Sequence, residues 1–503
     1  MRACPPAGRP ARLPVGRPAF GGLSRAHGRL TQWLECFLYT EEAGGSNPSA
    51  PTTKMKFIAD LHIHSKYSRA TSKDMDLEEL DRWADDKGIS VMATGDFTHP
   101  QWFNELKEKL ESAEPGLFKL KKQYKRSTIK GTLADTRFIL TAEVSSIYSR
   151  ESPSSGIKRV YRIHNLLFAP DFETVEKINV QLGWIGNLKS DGRPILGLDC
   201  RELAKIVFNA SPLAVIIPAH AWTPWFSIFG SMSGFDSIEE CFGEYAKNIF
   251  AIETGLSSDP AMNWRLSKLD NVALISNSDS HSAPRIGREA NIFDTELSYN
   301  GIIEAIKSGA PNQRKSVANQ RKSAFVATIE FFPEEGRYHF DGHRVCGIVF
   351  SPEETKKYNG ICPKCGKKLT IGTMSRIDKL ADKPEIKFEQ ENFYHTYGDR
   401  IPYYSTISLD GIIAEVYGMG VASKKVKEEY TKLIKAFGSE LKILIDIGVE
   451  ELKIAAGEKI VKGIIAVREK KLTIEPGFDG EYGKIKIFSE KEKENLEVQK
   501  KLF

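Results

Sequence analysis

The sequence has no apolar run long enough to cross a bilayer, no strong excess of one charge and few cysteines. The first absence argues against an integral membrane protein, and the N-terminal residues lack the apolar stretch of a secretory signal. A net charge of +5 over 503 residues permits a nucleic-acid partner without requiring one. The seven cysteines are odd in number and three of them cluster, which disfavours a disulfide framework and favours a metal site. We therefore expect a cytoplasmic protein with no membrane partner.

The composition otherwise indicates a globular chain of two or three domains. Residues 1–54 are rich in Arg, Pro, Gly and Ala, and we expect a disordered or non-native extension there, with Met55 as the true start. From residue 55 to about residue 325, strand-like runs such as Phe57–Ala59 alternate with helical patterns such as Asp76–Lys87. This alternation predicts an α/β domain over 55–325, built from parallel βα units.

Histidines and acidic residues follow the predicted strands where those strands end. His62 and His64 lie two residues apart on an extended chain, so both rings point to one side and suit a transition metal. The further members are Asp96, His99, Glu143, His164, His220, Glu253, Asp279 and His281. Any one of them could be a capping or core residue. Because strand ends meet at one edge of such folds, we expect the set to converge on metal ions.

These motifs resemble those of the polymerase-and-histidinol-phosphatase (PHP) superfamily, whose members are distorted (β/α) barrels with a trinuclear metal centre for phosphoester hydrolysis. The resemblance implies catalytic roles for Asp279, His281 and Glu143. It implies two or three divalent cations, which nitrogen and oxygen ligands would select as Zn, Mn, Fe or Mg. The implied first site is His62, His64, Glu143 and Asp279; the second is Glu143, His164 and His220; the third is His281 with His99 or Asp96. The chain departs from the family pattern at the third site, because Lys66–Thr71 contains no histidine.

A second metal motif lies further along the chain. His343-x-x-Cys346 and Cys362-x-x-Cys365 have the spacing of a closed, tetrahedral structural zinc site. His339 is an alternative to His343, and a redox Cys-x-x-Cys is the other interpretation, although it leaves the first pair unexplained. We predict a zinc-knuckle module over residues 326–375, followed by a mainly helical region for DNA or lesion recognition over 376–503.

The barrel followed by this knuckle resembles a narrower group, the endonuclease Q family. The resemblance rests on the histidine pair together with Ser68–Lys73, Ile329–Gly336, Phe340–Arg344 and Phe350–Thr355. It implies a nucleoid-associated DNA repair enzyme that nicks 5′ of deaminated bases (uracil, hypoxanthine or xanthine) or abasic sites. Two alternatives are a small-molecule phosphoesterase of the histidinol-phosphatase type and a non-catalytic nucleic-acid-binding scaffold.

Several side chains are candidates for contacts to such a substrate. Arg285 and Arg288 follow His281 closely and could pair with phosphate oxygens, as could Arg69. Trp222, Tyr403 and Tyr404 could stack on bases, with core packing as the alternative. The C-terminal residues Gln499–Phe503 weakly resemble a tail that binds a sliding clamp, which makes a clamp a further candidate partner; a charged terminus is the alternative.

Overall fold

A computed structural model describes residues 54–151, 156–317, 324–388 and 393–488 of the chain. The predicted extension, up to residue 53, and the predicted clamp-binding tail lie outside these residues. Within the described ranges, no helix has both the length and the apolar character needed to cross a membrane.

The chain alternates strands and helices up to the knuckle and is mainly helical after it. The strands are β1 (Lys54–Asp60), β2 (Val91–Ala93), β3 (Leu110–Ser112), β4 (Phe118–Leu120), β5 (Arg137–Glu151), β6 (Lys158–Ala169), β7 (Ile195–Leu196), β8 (Val215–Pro218), β9 (Ala251–Glu253), β10 (Ala273–Ile275), β11 (Ala290–Glu296), β12 (Phe325–Glu330), β13 (Asp341–His343), β14 (Ile348–Phe350), β15 (Tyr394–His395), β16 (Tyr403–Ser405), β17 (Thr473–Glu475) and β18 (Lys484–Lys486). The helices are α1 (Leu77–Lys87), α2 (Pro100–Lys109), α3 (Phe172–Ile185), α4 (Cys200–Ala210), α5 (Ile238–Phe242), α6 (Pro260–Asn263), α7 (Tyr299–Ser308), α8 (Pro311–Val317), α9 (Pro352–Lys357), α10 (Thr373–Leu380), α11 (Leu409–Tyr417), α12 (Lys424–Phe437), α13 (Glu440–Ile445), α14 (Val449–Ala455) and α15 (Glu458–Arg468).

Strand direction is mixed, which corrects the prediction of parallel units. The expected parallel pairing occurs between β1 and β2, between β2 and β5, and between β9 and β10. In contrast, β6 is antiparallel to both β5 and β8, and β1 is antiparallel to β11. Only a short connection separates β5 from β6, and a parallel pair would need a crossover of a dozen or more residues.

The strands close into a barrel through contacts at their ends. The Ala221 N–H donates to the Glu253 carbonyl oxygen at 3.0 Å, which joins the chain after β8 to β9. The Ser276 N–H donates to Asn291 Oδ1 at 3.0 Å and joins the chain after β10 to β11. Large apolar side chains fill the interior; they include Phe57, Ile139, Phe168, Ile217 and Phe293. The α/β barrel expected from the sequence is confirmed, with mixed strand directions.

The large sheet continues past residue 325, where the predicted barrel domain ends. β12 pairs with β11, and β16 pairs with β12. The helical region has its own core, with Ile412, Leu433 and Ile464 among its buried residues. A buried ion pair attaches this region to the barrel, because Lys87 Nζ in α1 lies 2.6 Å from Glu440 Oε2 at the start of α13.

Candidate metal centre

His62 and His64 follow β1 and turn their Nε2 atoms toward a common point. Both Nε2 atoms are buried and have no hydrogen-bond partner among the described residues. The opposite nitrogen of each ring faces a carboxylate: His62 Nδ1 lies 3.0 Å from Glu253 Oε1, and His64 Nδ1 lies 3.1 Å from Asp96 Oδ1. A carboxylate behind an imidazole fixes the tautomer in which the other nitrogen is free to bind a metal.

Glu143, at the middle of β5, lies between two groups of histidines. Its Oε1 is 2.8 Å from His164 Nδ1 and 3.0 Å from His220 Nε2. Its Oε2 is 3.3 Å from His64 Nε2 and 3.8 Å from His62 Nε2. The carboxylate is fully buried, and each oxygen serves a different group. This is the placement required of a ligand that bridges two cations.

Asp279 follows β10 and completes the cluster from the opposite side. Its Oδ1 lies 3.1 Å from His64 Nε2, 3.5 Å from His62 Nε2 and 3.9 Å from His281 Nδ1. That oxygen is also buried without a hydrogen-bond partner among the described residues. The backbone of Asp279 has φ +45°, and that of His220 has φ +29°. Side-chain-bearing residues rarely adopt such values, and they occur most often at functional sites.

The donor atoms form three groups in which all ligand atoms lie within 4.8 Å of one another. The groups are His62, His64 and Glu143; His64, Asp279 and His281; and Glu143, His164 and His220. Unpaired buried polar atoms cost free energy of a few kcal/mol each, and three of them point into these groups. Bound cations would satisfy them. The nitrogen and oxygen donors therefore fit divalent metals such as zinc, manganese or iron.

The pKa shifts reflect the close contact between buried carboxylates and neighbouring basic groups. Burial opposes protonation of His62, but Glu253 and Asp279 outweigh it and raise the pKa of this ring well above its ordinary value. Burial also opposes ionisation of Glu143, but the neighbouring His164 and Arg193 hold its pKa well below the usual range. Because the pKa of His62 is raised, a cation that binds this ring must displace a proton.

Asp96 and His99, predicted as ligands of the third site, lie outside the three groups. Asp96 stands behind His64, and its Oδ2 accepts hydrogen bonds from the Ser65 N–H at 2.7 Å and from Ser68 Oγ at 2.8 Å. His99 is the N-cap of α2, and its ring stacks on Tyr67 at 4.4 Å. The third group instead unites His281 with His64 and Asp279.

Two residues of the centre have roles that the sequence did not assign. Glu253 follows the strand-end pattern and was noted in the sequence, but its role in holding His62 depends on a contact across 191 positions. Arg193 gives no sequence signal, since it lies in an irregular loop before β7. Its Nη1 donates to Glu143 Oε2 at 3.1 Å.

The arginines proposed for phosphate contacts bind protein groups here. Arg285 Nη1 donates to Ser408 Oγ at 3.2 Å, and Arg288 Nε donates to the Ser278 carbonyl oxygen at 2.9 Å. Arg69 is 72% exposed, although its Nε lies 3.2 Å from a carboxylate oxygen of Asp191. Of the three, Arg69 keeps the most side-chain surface open to a ligand.

Two of the three aromatic candidates are core residues. Trp222 is fully buried and donates from Nε1 to Asn263 Oδ1 at 2.7 Å. Tyr403 is 1% exposed, and its hydroxyl lies 3.3 Å from Asp259 Oδ2. Neither ring has a free face on which a base could stack. Both residues therefore pack in the core, as the alternative interpretation of the sequence expected. Tyr404 is half-buried and packs against Tyr394 at 4.6 Å.

The knuckle brings its four predicted ligands together. Donor atoms of His343, Cys346, Cys362 and Cys365 all lie within 4.8 Å of one another. Burial opposes ionisation of the Cys362 thiol, but backbone N–H groups, including that of Lys364, lower its pKa to about 7. His339, the alternative ligand, is outside the group. Its ring packs against Phe340. The arrangement fits a closed tetrahedral metal site.

Comparison with known proteins finds one family model and relatives that match most of the chain. A family model described as the MJ0043 C-terminal domain matches residues 408–471. The chain is 33% identical over 325 residues to the uncharacterised protein MJ0043 of Methanocaldococcus jannaschii, which covers 63% of this chain and 38% of that protein. It is 28% identical over 447 residues to the uncharacterised protein YqxK of Bacillus subtilis, covering 86% of this chain and 99% of YqxK.

Solved structures give the family. The lesion-specific endonuclease PfuEndoQ from Pyrococcus furiosus matches with a TM-score of 0.70 and 31% identity, over 87% of this chain and 96% of PfuEndoQ. A structure of endonuclease Q with a 27-mer duplex substrate that carries an abasic lesion at the active site matches equally well, over 98% of that chain. Because the match covers 87% of the chain, it extends well beyond the barrel. The chain is therefore an enzyme of the endonuclease Q family.

Proposed function

We propose that this chain is a metal-dependent endodeoxyribonuclease of DNA repair. It would cut the phosphodiester bond 5′ of a deaminated base (uracil, hypoxanthine or xanthine) or of an abasic site. Family membership supports the reaction class, and the abasic duplex bound by the solved relative supports the substrate class. The observation that carries the proposal is the position of Glu143, whose two carboxylate oxygens face two separate histidine groups.

The three groups of ligands would hold two or three divalent cations. His62, His64, Glu143 and Asp279 would hold the first, and Glu143, His164 and His220 the second. A third would lie against His281 and Asp279. Such cations, when bound, make water more acidic and neutralise charge on phosphoryl oxygens. The knuckle ligands would hold one structural zinc.

The chain itself orients these groups and leaves one side open. Glu253 and Asp96 fix the His62 and His64 rings from behind, and all four side chains are buried. The side chains of His62 and His64 are at most 1% exposed, whereas those of Asp279 and His281 are 22% and 30% exposed. The phosphodiester would therefore approach from the side of Asp279 and His281.

Lesion selectivity would follow from the cost of extruding a nucleotide. A damaged or mismatched base is the cheapest to remove from the stack, and a cut beside an extruded nucleotide requires the backbone to bend into the open side of the barrel. The enzyme would act on nucleoid DNA in the cytoplasm. Clamp binding by residues 499–503 stays a prediction, since they lie outside the described ranges.

The test is a nicking assay on end-labelled duplexes that carry one uracil, one hypoxanthine, one abasic site or no lesion. The wild type with added Mn²⁺ should cut 5′ of each lesion and leave 3′-hydroxyl and 5′-phosphate ends. Asp279→Ala should not cut. Asp294→Ala is the matched control, because Asp294 pairs with Lys56 at the opposite end of β1 from His62.

The other outcomes separate the alternatives. Equal cleavage of undamaged duplex would contradict lesion specificity. Hydrolysis of a small phosphomonoester without nicking would favour a phosphatase, and lesion binding without cleavage in Mn²⁺, Zn²⁺ or Mg²⁺ would favour a binding scaffold.

A further inference from the structure

Arg193 reaches into the metal centre with most of its donor groups unused. Its Nη1 donates to Glu143 Oε2 at 3.1 Å, the oxygen that also faces His64 and His62. Its Nε and Nη2 make no hydrogen bond to the described residues, and its side chain is 26% exposed. A guanidinium has five N–H donors in a rigid fork. Because its one side-chain partner in the described part of the chain is Glu143, the open nitrogens of Arg193 lie at the edge of the metal centre, where a ligand can reach them.

The loop that carries Arg193 is fixed to the rim of the barrel. The Gly192 N–H donates to the Tyr67 carbonyl oxygen at 3.0 Å, and the Gly192 carbonyl accepts from Thr98 Oγ1 at 3.1 Å. The Arg193 N–H donates to Asp191 Oδ1 at 3.1 Å. These bonds restrain the backbone of Arg193, and the contact of Nη1 with Glu143 holds the side chain at the metal centre.

Gly192 is needed for the loop to come this close. A Cβ atom at this position would lie 2.3 Å from Asp96 Oδ2 and 2.4 Å from Ser68 Oγ, closer than any real contact. Both atoms belong to the hydrogen-bonded set behind His64. The loop therefore packs directly against the residues that orient a metal ligand, and Arg193 extends from there toward Glu143.

We propose that Arg193 is a further catalytic residue, which binds a non-bridging oxygen of the scissile phosphodiester and neutralises the charge that develops there. The proposal rests on the proposed function of the same site. Parallel N–H groups of a guanidinium match the oxygens of a phosphate. In the reaction, a water oxygen bonds to phosphorus and the bond from phosphorus to the 3′ oxygen breaks. One water proton passes to that 3′ oxygen and the other is released. Arg193 keeps its protons throughout and acts by charge alone.

The experiment compares full-length wild type, Arg193→Ala and Arg193→Lys in single-turnover cleavage of an abasic duplex with Mn²⁺. We expect Arg193→Ala to cleave about 10²–10³-fold more slowly, as for the loss of other preorganised transition-state donors. Arg193→Lys should recover part of the rate. DNA affinity by fluorescence anisotropy and Mn²⁺ content by mass spectrometry should equal those of the wild type. Arg126→Ala removes a surface arginine that pairs with Glu79 and should cleave normally.

A second substrate separates charge neutralisation from a structural role. A duplex with an uncharged methylphosphonate at the scissile position has less charge to neutralise, so the penalty of Arg193→Ala should shrink to within about tenfold. An unchanged penalty there would overturn the proposal. So would cleavage of the ordinary duplex by Arg193→Ala within about threefold of the wild-type rate, or a rate loss matched by Mn²⁺ loss.

The proposed function can fail separately. If the wild type cuts no lesion duplex but hydrolyses bis(p-nitrophenyl) phosphate, lesion cleavage is refuted. The rates at which the same variants hydrolyse that phosphodiester then test the role of Arg193. Slower hydrolysis by Arg193→Ala supports the proposal, and hydrolysis at the wild-type rate overturns it.

Discussion

Replacing Glu253 by glutamine tests whether a carboxylate behind His62 prepares the metal centre. Glu253 is fully buried, and each of its oxygens is already used. Oε1 accepts from Asn277 Nδ2 at 2.8 Å, Oε2 accepts from the His220 N–H at 2.7 Å, and both oxygens lie about 3 Å from His62 Nδ1. Glutamine keeps the shape but turns one acceptor into a donor. That donor must face the Asn277 amide or the His220 N–H.

The substitution should have two effects, one on stability and one on metal binding. One buried donor loses its partner, which should lower the free energy of unfolding by about 1–3 kcal/mol. The His62 ring also loses the negative charge that raises the basicity of its Nε2. Loss of such a partner weakens metal binding by about 10–100-fold. We therefore expect Glu253→Gln to fold, and to bind Mn²⁺ one to two orders of magnitude more weakly than the wild type.

Isothermal titration of chelator-treated protein with Mn²⁺ measures the second effect directly. The knuckle should contribute little heat, since its thiolates prefer zinc. Glu304→Gln is the control, because Glu304 lies on α7 with its side chain 69% exposed. Wild-type Mn²⁺ affinity in Glu253→Gln would refute the reasoning, and would mean that packing alone orients His62.

Four further outcomes are expected. Glu143→Gln should slow lesion nicking by at least about 100-fold, because two ligand groups lose one shared charge; wild-type rates would contradict a bridging role. Burial lowers the pKa of His339 to about 4, below its unfolded value of about 6.5. The unfolded chain therefore binds the extra proton first, and stability should fall as pH drops from about 6.5 toward 4. In His339→Gln, the free energy of unfolding measured by urea titration should change less over this pH range than in the wild type. An equal change in both proteins would contradict a role for His339. Lys87→Met leaves the Glu440 carboxylate buried without its cation and should cost about 3–5 kcal/mol of stability. The double variant Lys87→Met/Glu440→Gln should recover part of the lost stability, measured as the denaturant midpoint. If the stability losses of the two single variants simply add in the double variant, the two residues are not coupled. Cys365→Ser should reduce the zinc content by one ion per chain and leave Mn²⁺ binding at the barrel unchanged, which metal analysis would show.

Part of the barrel was predictable because several of its strands are short apolar runs next to helical patterns. The predicted strand at Phe57–Ala59 lies within β1, and the predicted helix at Asp76–Lys87 is α1 with its N-cap Asp76. Strand direction was not predictable from these patterns. An apolar run shows that a strand is buried, but its neighbours are set by connection length and by packing.

The candidate site shows the same division. Residues two or three apart, such as His62 and His64 or Asp279 and His281, share a face or a turn, so their grouping was visible in the sequence. Asp96 and His99 also follow a strand. The backbone of Asp96 has φ +47°, and its carboxylate contacts His64 Nδ1, on the side of the ring away from the metal centre. The sequence shows that a polar residue follows a strand. It does not show toward which atom the side chain turns.

The order of residues by itself determined that an α/β barrel precedes a cysteine-rich knuckle and a helical region, because each leaves a local pattern of spacing and polarity. Only the tertiary structure decided that Glu253 supports His62 and that Arg193 enters the centre. Those relations join residues 50 to 191 positions apart. Their distances depend on how the whole barrel closes, and short-range patterns contain no information about that.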